Sequence, residues 1–225
     1  FQSHLMPISQ MGGAHTYFAM LGSGSSAHPF NTEKDYRDFI QRSQGFAAYM
    51  DSVITAMQEG ARKGVVLQKA IVVKLIPQLE AHLVDDVSTS VFYAPINKLE
   101  ELDDISADDK TALKNAYIET IQTVIIPAYA RVHAYIKDAY PPRARTSTGL
   151  MDLPNGKAWY EHRIEDNTTL PLTAEEIHRF GEQEVARILT AMNTVKTSVG
   201  FDGSLAEFFD YLRDDDQFYF DTEAE

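Results

Sequence analysis

The sequence predicts an all-α protein built from long, kinked, antiparallel helices. Three observations support this: apolar residues recur at three- and four-residue steps, helix-capping residues precede several of these stretches, and prolines or glycines end them. Of the 225 residues, 44% are hydrophobic and 24% are charged, which is ordinary for a folded globular protein. A chain of this length can bury a sizeable core in one large domain or two small ones.

Residues 1–31 are rich in glycine, proline and serine and show no sustained apolar period. This composition is typical of turns and loops. We therefore predict an irregular N-terminal segment over residues 1–31, followed by a bundle of long helices over residues 32–142.

The first long helix is predicted to begin after Thr32. From this point apolar side chains recur at the spacing that places them on one face of a helix. They are Tyr36, Phe39, Ile40, Phe46, Met50, Val53, Ile54 and Met57. Gly60 and Gly64 are predicted to end this helix, because glycine is common at helix C-termini.

A second helix is predicted over residues 68–83, where apolar residues follow the same rhythm. Pro77 lies inside it and is expected to kink the helix or break its hydrogen-bond ladder, because proline has no backbone N–H. Residues 93–104 are predicted to connect this helix to the next one.

A third long helix is predicted from Ser106 to about residue 140. Ser106 is a typical N-cap residue, and Asp109 lies in the first turn, where a carboxylate faces the positive end of the helix dipole. Pro127 lies inside this helix, and Pro141-Pro142 is expected to end it.

Residues 143–225 are predicted to form a connector followed by further helices. Asn155-Gly156 opens either a short helix through Trp159 or a β-hairpin, because Asn-Gly is also a turn signal. Two capping boxes then mark helix starts. They are Thr173 with Glu176 and Ser204 with Glu207.

A third capping box, Thr222 with Glu225, stands at the end of the sequence. A capping box has no use without the helix that follows it, so we expect the chain to end partway through a larger protein. The alternative is a frayed acidic tail with a chance match. The chain starts at Phe1 and shows no signal-peptide pattern, so we expect any targeting segment to have been removed or left out.

Composition excludes several function classes. The net charge of −13, from 20 basic and 33 acidic residues, opposes binding to the phosphate backbone of nucleic acids. The absence of cysteine excludes disulfides, cysteine-ligated zinc, iron–sulfur clusters and thiol catalysis within this sequence. No apolar run is long enough to span a bilayer.

The sequence also lacks the common catalytic signatures. It contains no His-Glu-x-x-His motif, no glycine-rich phosphate loop, no Gly-x-Ser-x-Gly elbow and no EF-hand loop. We therefore assign no catalytic residue and no metal ligand within residues 1–225.

The best candidate for ligand binding lies on the predicted helix after Asn155-Gly156. Tyr160, Arg163 and Asn167 share one face of this helix and offer a phenol, a guanidinium and an amide to a peptide carbonyl or carboxylate. The alternative is a structural role, in which Trp159 and Tyr160 anchor the helix to the core and Arg163 pairs with a nearby acid.

Glu175 and His178 form a Glu-x-x-His pair, which in a helix can place both side chains on one metal. A di-iron bundle needs two such pairs, however, and only one is present. Glu175 also lies in a first helical turn, where it interacts favourably with the helix dipole. A metal–carboxylate bundle built on this pair is therefore the weakest of the functional hypotheses.

Several segments together resemble the bacterial domain of unknown function 885 family. They are Leu153-Pro-Asn-Gly-Lys-Ala-Trp-Tyr-Glu-His-Arg-Ile164, Thr168-Thr169, Leu172-Thr-Ala-Glu-Glu-Ile-His178, Pro7-Ile-Ser-Gln10, Pro29-Phe-Asn-Thr32 and Phe218-Tyr-Phe220. The resemblance covers nearly the whole chain. One departure is Gln68, which stands where the family usually has a proline.

The resemblance implies a mostly helical, extracytoplasmic protein, often a lipoprotein, related to the helical zinc metallopeptidases. The zinc motif of such proteins, of the His-Glu-x-x-x-Gly-His-His type, would lie downstream of residue 225. The resemblance thus implies that the helices of residues 143–225 lead toward a missing C-terminal catalytic part. No zinc ligand or catalytic glutamate of the family maps onto this sequence, so zinc is expected only in the full-length parent and no cofactor in this chain. The pattern of Gly156, Tyr160, Glu175, Glu176 and His178 would shape or support the cleft.

We therefore predict an interior fragment of a cell-envelope, zinc-dependent, peptidase-like hydrolase, periplasmic or anchored through a missing N-terminal lipid. Its substrate would be a peptide or small molecule contacted by Tyr160, Arg163, Asn167 and His178. The alternative is a non-catalytic helical binding or scaffold module. The substrate's identity and the oligomeric state stay open.

Overall fold

The structure is a computed structural model, and it describes residues 2–220 and residue 222. The helices are α1 (Ala14–Gly22), α2 (Glu33–Lys63), α3 (Lys69–Glu80), α4 (Ala94–Leu99), α5 (Ala107–Thr120), α6 (Ile126–Ala134), α7 (Gly156–Thr168), α8 (Ala174–Ser198) and α9 (Leu205–Asp214). Within the described residues no strand is formed, and β-pairing is confined to isolated bridges. The all-α prediction is confirmed. No helix in the described part of the chain is long and apolar enough to cross a membrane.

Helix α2 begins and ends where the sequence predicts. The Thr32 hydroxyl accepts the Asp35 N–H, and the Asp35 carboxylate accepts the Thr32 N–H at 2.9 Å, so the two residues form a capping box. Gly64 ends the helix in the left-handed conformation, with φ at 72°. Gly60 lies inside α2, where a Cβ would come within 2.5 Å of the Val65 carbonyl oxygen.

The predicted helix over residues 68–83 corresponds to α3. The helix continues through Pro77 to Glu80, although proline cannot donate a hydrogen bond at that position. The Val72, Leu75 and Leu79 side chains of α3 are buried.

The long helix predicted after Ser106 is also confirmed. The Ser106 hydroxyl accepts the Asp109 N–H at 3.2 Å and caps α5. Between α5 and α6, residues 121–125 form a π-helical turn, and Pro127 follows in the first turn of α6. A π-turn shifts the hydrogen-bonding register, which accommodates a residue that has no N–H to donate. Pro141-Pro142 follows a second π-turn and ends the helix.

The prediction that the whole N-terminal segment is irregular is wrong. Residues 14–22 of the N-terminal segment form α1, because Phe18 packs deep in the core and its burial outweighs the surrounding glycines. Residues 94–99 of the predicted connection form the short helix α4. Pro95 suits the first turn of that helix, and Ile96 and Leu99 are buried beneath it.

Contacts within the chain group it into two units, residues 1–159 and residues 160–225. The first unit holds an aromatic core in which the Phe39 ring packs against both Phe18 and Tyr117. Buried tyrosine hydroxyls tie distant segments together: Tyr36 donates to the Pro95 carbonyl at 2.7 Å and Tyr129 to the His15 carbonyl at 2.5 Å. The boundaries predicted at residues 31 and 142 stay predictions.

The second unit contains most of α7, together with α8 and α9. The predicted capping boxes at Thr173 and Ser204 are both formed. After α8, aromatic side chains cluster around α9. They are Phe201, Phe208, Tyr211 and Phe218. The third predicted box falls outside the described residues, because Glu225 is not among them.

Candidate functional site

The predicted ligand patch lies on α7. Tyr160 is 40% exposed. The Arg163 guanidinium lies 3.7 Å from the Asp166 carboxylate, and both side chains are more than half exposed. The Asn167 amide donates to the Arg163 carbonyl at 2.7 Å, which leaves its side-chain oxygen as an acceptor. The patch is therefore a surface of exposed polar groups in which Arg163 has an acidic neighbour.

His178 lies on α8, where its Nε2 atom is 3.5 Å from the Glu182 carboxylate and both side chains are exposed. No hydrogen bond or ion pair joins His178 to Tyr160, Arg163 or Asn167 among the residues that the structure describes. The structure thus places the four predicted residues in the same unit but does not bring them into one polar network.

Glu175 and Glu176 occupy the first turn of α8. The Thr173 backbone and hydroxyl donate to the Glu176 carboxylate, and these hydrogen bonds lower the pKa of that carboxyl. Residues 2–220 and 222 contain no group of three or more histidine, aspartate or glutamate side chains arranged to hold a metal ion. Glu176 therefore serves as a helix cap in this structure.

The structure explains why residue 156 is a glycine. A Cβ at this position would lie 2.3 Å from the Leu150 carbonyl oxygen, so only glycine fits where the chain crosses itself. Asn155 precedes it with φ at 55°, a conformation that asparagine tolerates better than most residues. Gly156 is the first residue of α7, so of the two alternatives at Asn155-Gly156 the helix is confirmed and the hairpin is wrong.

A second small core lies beside this turn. Leu5, Val65, Leu153 and Trp159 are all buried in it. Next to it opens a pocket of about 430 Å³. The pocket is lined by Gln2, Val65, Pro154, Asn155, Ala158 and Trp159. Sequence reasoning identified Trp159 as a possible anchor of α7 but not this pocket, because its walls come from distant segments.

Sequence reasoning also missed a buried polar cluster around His15. His15 is 1% exposed, and burial lowers its pKa from the ordinary 6.5 to about 4. Neither ring nitrogen of His15 has a hydrogen-bond partner among the described residues, and the buried side-chain oxygens of Gln10 and Gln78 also lack one. Burial lowers the pKa of His82 as well. These imidazoles are therefore held neutral at pH 7.

No signal in the sequence could have revealed this cluster, because its members come from separate segments. The Gln78 amide donates to the Gln10 carbonyl at 3.0 Å, and the His82 ring packs on Tyr129 at 4.3 Å. Only the folded chain brings these residues together.

The sequence model of one protein family, described as a bacterial protein of unknown function (DUF885), matches residues 2–225. The chain belongs to the DUF885 family. This confirms the resemblance noted from the sequence. No curated protein matches this DUF885 chain.

A solved structure with the same fold is similar to this chain. It is described as "the crystal structure of the putative lipoprotein from Colwellia psychrerythraea", and it superposes with a TM-score of 0.85 at 24% sequence identity. The match covers 96% of the DUF885 chain and 37% of the other protein. The chain thus spans little more than a third of the length of that protein. At this identity the similarity establishes the fold.

Proposed function

We propose that this chain is a helical part of a longer cell-envelope hydrolase of the zinc-dependent, peptidase-like class, in which it forms walls of a substrate cleft. The zinc-binding residues would lie outside residues 1–225, because no zinc ligand of the family maps onto this sequence. The observation that carries this proposal is the exposed apolar face of α8.

This face is a stripe that runs along α8. It consists of Val185, Ile188, Met192, Val195 and Val199, at alternating steps of three and four residues. Such spacing is typical of a helix that packs along another helix. Val185, Val195 and Val199 are each more than half exposed. A continuous apolar surface of this kind marks a site of contact with further polypeptide.

The similar structure supports the same proposal. The protein from Colwellia psychrerythraea contains much more chain than the part that matches this sequence. Its description as a lipoprotein supports a location in the cell envelope for the DUF885 chain, and the resemblance to helical zinc metallopeptidases supports peptide hydrolysis.

Within this proposal the residues on α7 and α8 would contact the substrate rather than react with it. The Arg163 guanidinium can bind a carboxylate of the substrate, because its ion pair with Asp166 is long at 3.7 Å and solvent-exposed. The Asn167 side-chain oxygen can accept a hydrogen bond from a peptide N–H. Tyr160 and His178 would supply exposed aromatic surface.

The test uses the product of the complete reading frame. We expect the purified protein to contain about one zinc ion per chain by elemental analysis and to hydrolyse members of a fluorogenic peptide library. Chelation by 1,10-phenanthroline should abolish hydrolysis, and added zinc should restore it. The proposal would be contradicted if the protein contains no zinc and its peptide hydrolysis is absent or insensitive to chelation. The alternative, a non-catalytic helical binding or scaffold module, would then be favoured.

The α8 stripe can be tested separately in the same protein. Replacing Ile188 by aspartate places a charge in the middle of the stripe, and we expect a fall in the melting temperature of the full-length protein. The matched control is Thr190→Asp on the opposite side of α8, where the side chain only bonds its own helix at the Ala186 carbonyl. Equal effects of the two variants would show that the stripe is not covered.

A further inference from the structure

A second candidate binding site lies in the first unit, between α1 and α2. It is a groove of about 390 Å³ that is almost entirely apolar. Its walls are Ala14, Tyr17, Phe18 and Leu21 from α1 and Arg42, Gly45, Phe46 and Tyr49 from α2. In each helix these positions are spaced by three, four and seven residues, so each helix turns one face toward the groove.

The groove has an aromatic floor. The buried rings of Phe18 and Phe46 stack at 3.8 Å with an angle of 5° between their planes. Tyr17 and Tyr49 are 65% and 49% exposed. A Cβ on Gly45 would meet nothing within 4 Å, so the space between the helices is open there. From Arg42 to Tyr49, α2 rises by about 10 Å.

Arg42 lies at one end of this groove and is held in place by a buried histidine. His28 is 5% exposed, with its Nε2 atom 3.0 Å from the Asp35 carbonyl oxygen. Because a carbonyl only accepts and a guanidinium only donates, Nε2 carries a hydrogen and Nδ1 is an acceptor. The Arg42 guanidinium donates to Nδ1 at 2.6 Å. His28 itself packs against the Phe30 ring.

This arrangement orients Arg42 without neutralising it. A neutral imidazole takes up one of the five N–H groups of the guanidinium and leaves its positive charge uncompensated. Among the described residues no carboxylate lies within salt-bridge distance of Arg42, whereas Arg37 pairs with Glu33 and Arg131 pairs with Asp51. In a chain with a net charge of −13, an oriented and uncompensated arginine at the end of an apolar groove is complementary to an anion with an apolar tail.

We propose that the groove between α1 and α2 binds a medium-chain fatty carboxylate, with the carboxylate on Arg42 and the acyl chain between Tyr17 and Tyr49. The rise of about 10 Å from Arg42 to Tyr49 suits a linear acyl chain. The lining surface is almost entirely apolar, and Arg42 is the charged side chain in it that can bind the ligand's carboxylate. This inference does not depend on the proposed hydrolase function.

The test is isothermal titration of the chain with decanoate and, as an uncharged control of equal chain length, decanol. We expect decanoate to bind about fivefold more tightly than decanol, which is the size of effect typical of an exposed ion pair. Arg42→Gln should weaken decanoate binding by about the same factor and leave decanol unchanged.

The second variant, Gly45→Leu, fills the groove. Helix α2 should tolerate it, because the added side chain enters open space and leucine favours helix more than glycine does. We expect Gly45→Leu to abolish binding of both compounds while the far-ultraviolet circular dichroism is unchanged.

Equal affinities for decanoate and decanol in the wild-type chain, or unchanged binding in Gly45→Leu, would overturn the proposal. Sedimentation of the ligand-free chain tests whether a second copy of the chain occupies the groove instead of a ligand. A dimer that Gly45→Leu dissociates would show that a second copy fills the groove, and this too would overturn it.

Discussion

The two units of this chain bury their apolar residues very differently. In residues 1–159 the apolar faces of the helices meet in an aromatic core, and Tyr36, Phe39 and Leu75 are completely buried. In residues 160–225 the longest helix, α8, has no buried residue. Both units use the same capping chemistry, at Thr32 and at Thr173. Capping therefore specifies where a helix begins, whereas burial decides how strongly its unit is held together.

The largest difference in stability is expected when one phenylalanine is replaced in each unit. Phe39→Ala removes a fully buried ring that packs on Phe18 and Tyr117, and we expect it to lower the free energy of unfolding by roughly 4 kcal/mol. Phe180→Ala on α8 removes a ring that is 63% exposed, and we expect a change within about 0.5 kcal/mol. Urea unfolding of both variants, each made in the 225-residue chain alone, measures the difference.

A large loss of stability in Phe180→Ala would break the comparison. It would show that the exposed face of α8 is covered in solution.

The pH dependence of the free energy of unfolding tests the comparison further, because the first unit contains the buried His15. Its pKa is about 4 in the folded chain and 6.5 ordinarily, so between these values the unfolded chain binds more protons. The stability therefore falls as the pH is lowered from about 6.5 to about 4, and the contribution of His15 to this loss is at most about 3 kcal/mol. Urea unfolding at several pH values measures the slope.

The variant that tests this assignment is His15→Phe, which removes the titrating group from the first unit. We expect the slope of stability against pH to become shallower by close to one proton, with His82 supplying part of the remainder. An unaltered slope in His15→Phe would show that His15 is not buried in its neutral form.

The smallest predicted effects come from two glycines. Gly156→Ala forces a Cβ against the Leu150 carbonyl oxygen, and we expect a loss of about 2 kcal/mol. Gly181→Ala on α8 meets nothing within 4 Å, and we expect a gain of about 1 kcal/mol from helix propensity. Thermal unfolding followed by circular dichroism compares the two, and opposite signs are the expected result.

The sequence predicted most of the helices for a specific reason. Helix starts at Thr32, Ser106, Thr173 and Ser204 depend on side chains that bond a backbone N–H three residues away, so the signal is local. Helices α1 and α4 lack such caps, because Gly13 and Tyr93 precede them and make no side-chain capping bond. Their helical state depends on burial against distant residues, which no local pattern records.

In the candidate site too, the sequence predicted relations within one helix but not contacts between distant segments. Tyr160, Arg163 and Asn167 lie on one face of α7, as their spacing predicts, because that relation is internal to one helix. Whether they and His178 bind a substrate is a prediction that the fold leaves open to experiment. The groove beside Arg42 and the cluster around His15 were beyond sequence reasoning, because each combines side chains from separate segments.

The sequence by itself determined the all-α class, the family and the beginnings of the capped helices, because periodicity and capping act over three or four residues. The tertiary structure alone decided which apolar faces are covered. It buries Phe18 and His15 of α1 but leaves the α8 stripe exposed, although α1 has the weaker helical pattern. The physical reason is that burial depends on which distant segments come together, and the free energy of that contact outweighs local propensity.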